Sequence, residues 1–265
     1  MIIMKDDYQI YSESAQYYDL IYRQTSRIDY TRNFNDFLFL IDSFSIKLTN
    51  LLDYGCGTGT FAVLFAQKDI HVTGIDLSAK QIKLAKDKVK TLGLESKVKF
   101  LVENMVDFKI QEQFDAAGSF FSPFCYLLTD NEVISFLENA YSMVKPGGVL
   151  FFEFWNCHAV KPDLQSYLIA EEGDLTVYRF NKSFYDIKTG IITMPMSHIV
   201  IKDKTVISEF TETHKLRTYT IPHLRTLVEQ TNWRLTDIYA KYYNLPDNEK
   251  EPTINDFRLY AILKK

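Results

Sequence analysis

No apolar run in this chain approaches the ~20 residues that a membrane-spanning helix needs, so no membrane partner is expected. Basic charge is not in excess: 30 Lys and Arg stand against 34 Asp and Glu, a formal net charge of −4. The global positive field of a nucleic-acid binder is missing, and no nucleic-acid partner is expected. Cysteine is sparse, with Cys56, Cys125 and Cys157 as the 3 present. They form no C-x-x-C pair and cannot build a disulfide framework, and no metal site is expected. Met1-Ile2-Ile3-Met4-Lys5-Asp6-Asp7 has neither the length nor the small-residue cleavage site of a secretory signal. The expected location is cytoplasmic. Repeats and low-complexity linkers are missing too.

Aromatic residues, by contrast, are abundant: 17 Tyr and 20 Phe help bring Phe, Trp and Tyr to 15 % of the chain. Most must be core, but so many leave some for lining a pocket. A chain of 265 residues suffices for one α/β domain whose core buries roughly three-quarters of its unfolded surface. Apolar runs alternate with helical patterns from about 51 to 154, the signature of βαβ units on a parallel sheet. The expected strands are 50–54, 70–75, 97–103, 113–119 and 148–154. Ser78 is placed to cap a helix over 79–92 that ends at Gly93, and Thr129 or Asp130 to cap one through Tyr141. Lys145-Pro146-Gly147-Gly148 reads as a tight turn. Ahead of the first strand, 12–22 and 30–44 read as two helices.

Beyond Phe154 the pattern changes. Residues 174–219 hold β-prone stretches separated by Asp186-Ile187-Lys188-Thr189-Gly190 and Lys202-Asp203-Lys204, both good hairpin turns. A three-stranded antiparallel insert is expected there. A helix over 221–231 and strands over 234–242 and 257–264 then complete the sheet. The expected organisation is one domain over 1–265: a core of about 47–155 and 220–265, a helical cap over 8–46, and a β-rich lid over about 174–219.

The most informative segment is Leu51-Leu52-Asp53-Tyr54-Gly55-Cys56-Gly57-Thr58-Gly59, followed by the helical Phe61-Ala62-Val63-Leu64-Phe65-Ala66. A buried parallel strand turns sharply into a helix, and side chains are removed where the backbone must approach a ligand. Dinucleotide enzymes space such glycines as G-x-G-x-x-G. Here Thr60 follows Gly59, so a pyrophosphate on that helix N-terminus is not expected. In open α/β sheets the ligand lies outside the carboxyl ends of the strands. Gly74-Ile75-Asp76-Leu77-Ser78 brings an acid to the end of the second strand, where a carboxylate can accept from both hydroxyls of a ribose.

On Asp53 to Gly59, with Asp76 downstream, the chain resembles the class I S-adenosylmethionine-dependent methyltransferases. The resemblance implies a Rossmann-like α/β fold with a seven-stranded, mostly parallel sheet, and S-adenosyl-L-methionine as cofactor. It implies that Gly55, Cys56, Gly57 and Gly59 let the backbone approach the cofactor, and that Asp53 orients its amino-acid end. Asp76, with Leu77 beside it, would hold the ribose. Asn104 would contact the adenine amine where that family more often has Asp, and Met105 would pack on the ring. Ser119 and Phe120 would border the methionine portion. A sulfonium favours aromatic walls, which makes Tyr18, Tyr22 and Tyr30 candidates.

A finer resemblance covers nearly the whole chain. Residues 114–127, Glu153-Phe154-Trp155, the hairpin insert, and Glu212-Thr213-His214 with Leu216 resemble the dTDP-amino-sugar N-methyltransferases. That implies N-methylation of an amino-sugar nucleotide, with Trp155, Arg179 and Arg258 toward the acceptor. One departure stands out: that family commonly has histidine in the place of Tyr126. A phenol with a pKa of about 10 is a poor base at neutral pH, which shifts weight onto Tyr11, Glu153 and His214. Glu212 and His214, two apart on a β-prone stretch, share a face and are expected as an ion pair. The alternatives are another small amine, hydroxyl or carboxylate acceptor, and a catalytically silent cofactor-binding scaffold. The expected assembly is a monomer or homodimer.

Overall fold

A computed structural model describes residues 10–24, 30–240 and 251–265. Helices α1 (Ala15–Arg23) and α2 (Tyr30–Ser43) lead into β1 (Asn50–Tyr54), α3 (Thr60–Ala66), β2 (His71–Asp76), α4 (Ala79–Thr91), β3 (Val98–Val102), β4 (Phe114–Ser119), α5 (Asp130–Met143) and β5 (Val144–Asn156). The capping signals act as their chemistry requires. Ser78 Oγ accepts from Gln81 N at 3.3 Å, and Gly93 leaves α4 at φ +66°. Thr129, not Asp130, caps α5, in a capping box with Glu132.

Strands β3-β2-β1-β4-β5 pair in parallel in that order, β12 (Arg258–Lys264) adds antiparallel to β5, and β11 (Arg234–Tyr239) adds antiparallel to β12. These seven strands form the expected mostly parallel sheet. Strand order reverses between β1 and β4, so a crevice opens at their carboxyl ends. Each face carries its own apolar layer. Phe124, Phe136, Leu137, Phe152 and Trp233 pack between the sheet, α5 and α6 (Ile221–Glu229). On the other face Phe37, Phe65, Phe120 and Phe151 meet edge-on or tilted under α2 and α3. Burying one such ring contributes about 1.5–3 kcal/mol.

Lys145–Gly148 is not a free turn. It lies within the irregular start of β5, where the register to β4 shifts between Phe114 and Ala116 and the Gly147 N–H donates to Lys265 O. The insert is also larger than expected. It has five strands, β6 (Gln165–Glu172), β7 (Leu175–Lys182), β8 (Phe184–Asp186), β9 (Ile191–Lys202) and β10 (Thr205–Tyr219), and begins at 165 rather than 174. Both expected turns are present, at 186–190 and 202–204; the unforeseen hairpin turns at Gly173, φ +61°. The last two residues of the expected strand 234–242 lie outside the described residues, as do 8–9 and 25–29 of the cap.

The end of β10 rejoins the core by parallel pairing of Thr218 and Tyr219 with Trp155 and Asn156. Helix α1 bridges insert and core. Leu20 and Ile21 pack on Ala170, Val177 and Val200 of the insert, while Asp19 pairs with Lys88 of α4 at 2.8 Å and accepts from Thr58 Oγ1 at 2.5 Å. Among the described residues, no helix is long and apolar enough to cross a membrane.

Candidate functional site

The turn after β1 needs its glycines for two reasons. Gly55, Gly57 and Gly59 have φ of +68°, +55° and +77°, left-handed backbone that other residues adopt only under strain. Space is short as well: a Cβ on Gly57 would lie 2.9 Å from Gln81 Oε1, and one on Gly59 would lie 2.8 Å from the Phe100 ring. The turn is fastened to β2. Gly55 N and Cys56 N both donate to Ile75 O, and Gly57 N donates to Asp76 Oδ2 at 2.9 Å. Ser78 N donates to Asp76 Oδ1 at 2.8 Å. Each carboxylate oxygen keeps a lone pair for a ligand.

A cavity of about 420 Å³ opens over this turn. Gly55, Gly57, Asp76, Leu77, Asn104 and Met105 line it, with Phe120 and, from the cap, Tyr11 and Tyr18. Asn104 Oδ1 accepts from Val106 N at 3.0 Å and retains a second lone pair. The other sequence candidates lie off this cavity. Gly59 is filled against by Phe100 and Ala85, and the Cys56 thiol sits beside Gly74. Tyr30 packs on Phe61 and Phe121, and Tyr22 lines a different space. Asp53 and Ser119 are fully buried at the ends of β1 and β4, just beneath.

Donor chemistry here fits S-adenosylmethionine. Asp53 Oδ2, Gln81 Nε2 and Ser119 Oγ are buried and have no hydrogen-bond partner among the described residues, a state that is costly unless a ligand or water completes it. Gln81 escaped the sequence reading. Its signal is its place one helical turn beyond the Ser78 cap, which returns it to the Asp76 side of α4.

Burial, with the nearby Asp76, pushes the Asp53 carboxyl up to about 8, and burial pushes Asp76 up to about 6 against hydrogen bonds from Ser78, Gly57 and Leu77. Both acids therefore hold protons longer in the folded chain than in the unfolded one, where Asp titrates near ~4. Their contribution to stability is complete in acid and is lost as pH rises through the folded values. His198 and His214, pushed down to about 4 chiefly by burial, are neutral in folded and unfolded chains above about pH 7. The melting temperature of the ligand-free protein should thus fall between about pH 7 and about pH 9, with Asp53→Asn flattening that fall. Calorimetry across that range, with equal slopes in both proteins, would refute the assignment.

A second cavity of about 200 Å³ lies between the insert and the end of β5. Tyr11, Phe121 and Tyr126 line both cavities and form their shared wall. Phe121 and Ser122 reach it with φ of +67° and +66°, a non-glycine left-handed pair just before Pro123. Trp155, Arg179 and Arg258 line the second cavity alone, joined by Lys161. Arg179 donates to Tyr22 OH at 3.0 Å and lies over its ring, while Arg258 lies over Phe121 at 4.9 Å. Two arginines and a lysine give an overall acidic chain a local basic pocket.

Tyr11, Tyr126 and His214 are brought together: Tyr11 OH lies 3.1 Å from Tyr126 OH, which lies 2.7 Å from His214 Nδ1. Glu153 is not with them. It lines neither cavity, is 1 % exposed, accepts from Ser122 Oγ and lies 3.8 Å from Arg258 Nε. Trp155 Nε1 donates to the same Ser122 Oγ at 2.9 Å. Glu153 thus supports the wall from behind, because its strand position turns it under Ser122. Nor do Glu212 and His214 make an ion pair. Burial keeps the imidazole neutral near pH 7, and its Nε2 stands 3.9 Å from Glu212 Oε2.

Residues 51–148 match the family described as "Methyltransferase domain". The chain is 26 % identical over 216 residues to the protein named methyltransferase YqeM in Bacillus subtilis (strain 168), covering 81 % of this chain and 83 % of that one. It is 28 % identical over 210 residues to dTDP-3-amino-3,6-dideoxy-alpha-D-glucopyranose N,N-dimethyltransferase of Streptomyces fradiae, covering 78 % of each. Its fold is that of an S-adenosylmethionine-dependent methyltransferase from Clostridium acetobutylicum ATCC 824, with a TM-score of 0.81 over 96 % of this chain and 98 % of the other at 18 % identity. With the glycine turn, the Asp76 clasp and the sheet reversal above it, these similarities show a methyltransferase domain over residues 51–148 in a chain with the class I, Rossmann-like methyltransferase fold.

Proposed function

We propose that the chain methylates the amine of a small molecule, and that this acceptor is an amino-sugar nucleotide. S-adenosylmethionine in the larger cavity supplies an electrophilic methyl group on a sulfonium. The observation that carries the reading is the second cavity, basic on one side and meeting the first at Tyr11, Phe121 and Tyr126. Arginine suits a diphosphate because its planar fork donates two parallel hydrogen bonds, and Arg179 and Arg258 are the forks available. The similarity to the Streptomyces fradiae enzyme, whose name specifies a dTDP-linked amino sugar, supports the same acceptor class.

Transfer breaks the carbon–sulfur bond, forms a carbon–nitrogen bond, and leaves a thioether and an ammonium whose proton passes to water. A neutral amine needs no strong base; it needs its lone pair aimed, and positioning supplies most of the acceleration. In this reading the cofactor-binding set is Asp53, Asp76, Leu77, Asn104 and Met105 with the glycine turn, and Tyr11 and Tyr126 aim the amine.

Arg179→Ala or Arg258→Ala should raise KM for a dTDP-linked amino sugar by about 10-fold or more and leave KM for the free amino sugar unchanged. The nucleotide-linked KM should also rise with salt. Equal activity on linked and free sugars, insensitive to both substitutions, would retire the nucleotide and leave another small acceptor.

A further inference from the structure

Glu212 lies in the insert, far from the cofactor turn in sequence, yet five donors converge on its carboxylate. Oε1 accepts from Glu13 N at 2.9 Å, Ser14 N at 3.2 Å and Ser12 Oγ at 3.4 Å; Oε2 accepts from Ser14 Oγ at 2.5 Å and Tyr11 N at 3.1 Å. Three N–H groups and two hydroxyls of one short turn, converging in this way, make an anion clasp. It holds Tyr11 at φ +58°, a conformation that a tyrosine adopts only when its surroundings impose it. The same residue is tied on two other sides. Its carbonyl accepts from Ser78 Oγ at 3.4 Å, next to Asp76, and its hydroxyl meets Tyr126 at 3.1 Å.

We infer that Glu212 is a positioning residue for methyl transfer: its carboxylate clasps the 11–14 turn and so sets the Tyr11 hydroxyl in the wall between the two cavities. The inference rests on the reading that the wall at Tyr11 and Tyr126 is where the methyl group crosses. Burial alone would raise the Glu212 carboxyl, but the bonds from Ser14, Glu13 and Tyr11 hold it below its usual range, so the clasp is an ionised one at neutral pH. A carboxamide cannot replace it, because its NH₂ would face N–H donors. Chain entropy opposes the strained turn, and the clasp, with the Tyr11 ring packed on His214 at 5.0 Å, offsets it.

The test uses the full chain with Glu212→Gln, and with Ser14→Ala as a milder removal of one donor should the first fail to fold. Amide exchange at 11–14 should quicken by about 10-fold or more in Glu212→Gln, with the sheet core unchanged. With S-adenosylmethionine and dTDP-3-amino-3,6-dideoxyglucose as probes, kcat should fall by about 10-fold or more while the cofactor Kd moves little. Double-mutant kinetics then separate aiming from mere stabilisation. If Glu212 acts through Tyr11, Glu212→Gln combined with Tyr11→Phe should lose no more kcat than the worse single substitution. Wild-type exchange at 11–14 in Glu212→Gln, or losses that multiply in the double variant, would overturn the inference. Full turnover in Tyr11→Phe and Tyr126→Phe would instead remove the wall reading, and the exchange data would still decide the clasp by itself.

Discussion

Asp76→Ala should weaken S-adenosylmethionine binding by about 10- to 150-fold, because hydrogen bonds to a charged group contribute about 1.5–3 kcal/mol. The carboxylate has two jobs that the substitution ends together. It fastens the Gly57 and Ser78 N–H groups, and in the proposed binding mode its remaining lone pairs accept from the ribose hydroxyls. Asp76→Asn should do nearly as badly, since one carboxamide end must present N–H to N–H. The wild-type affinity should also fall as pH drops below about 6, where burial has moved this carboxyl, because the proton occupies an acceptor site the ribose needs. Titration calorimetry measures both effects in protein whose melting is otherwise normal. Unchanged affinity in folded Asp76→Ala would remove the ribose from this corner of the cavity.

How far sequence alone reached follows from the kind of constraint at each position. The parallel strands were legible because each is a short apolar run bounded by turn residues, and β1 begins and ends where its pattern places it. The glycine turn and Asp76 were legible because left-handed backbone and a strand-end acid leave few substitutes. Strand β6 was missed because Gln165–Glu172 ends in two acids and leaves Tyr167 and Ile169 exposed, so it carries too little buried pattern to stand apart from a loop. Face was the second blind spot. In a strand buried on both sides, alternation no longer distinguishes cavity from core, which is why Glu153 was expected at the acceptor and lies behind Ser122. The Glu212 clasp depends on contacts between segments far apart in the chain, and no local pattern encodes those.

Tyr126→Phe should be the most damaging small change in the acceptor wall. It deletes the hydroxyl that joins Tyr11 to His214 and leaves the ring, so packing survives while the hydrogen-bonded row is cut. A positioned proton-handling group is worth about 10²- to 10⁴-fold. The low end applies here, since a neutral amine needs aiming more than deprotonation, so kcat should fall by about 10²-fold with cofactor Kd nearly unchanged. The pH profile discriminates further. Single-turnover rates should rise through the pKa of the acceptor amine and then level off, because only the unprotonated amine attacks. With S-adenosylmethionine saturating, so that the Asp76 titration near 6 does not enter, no second inflection should appear between about pH 6 and about pH 7, the range of an ordinary imidazole, because burial has already pushed His214 down to about 4. Neutral His214 can accept the Tyr126 O–H at Nδ1 through the whole working range; a protonated ring could not. A profile flat in pH, with chemistry rate-limiting, would point to a hydroxyl or carboxylate acceptor. An inflection near neutrality that disappears in His214→Gln would show that the imidazole is more open to water than its 1 % exposure implies.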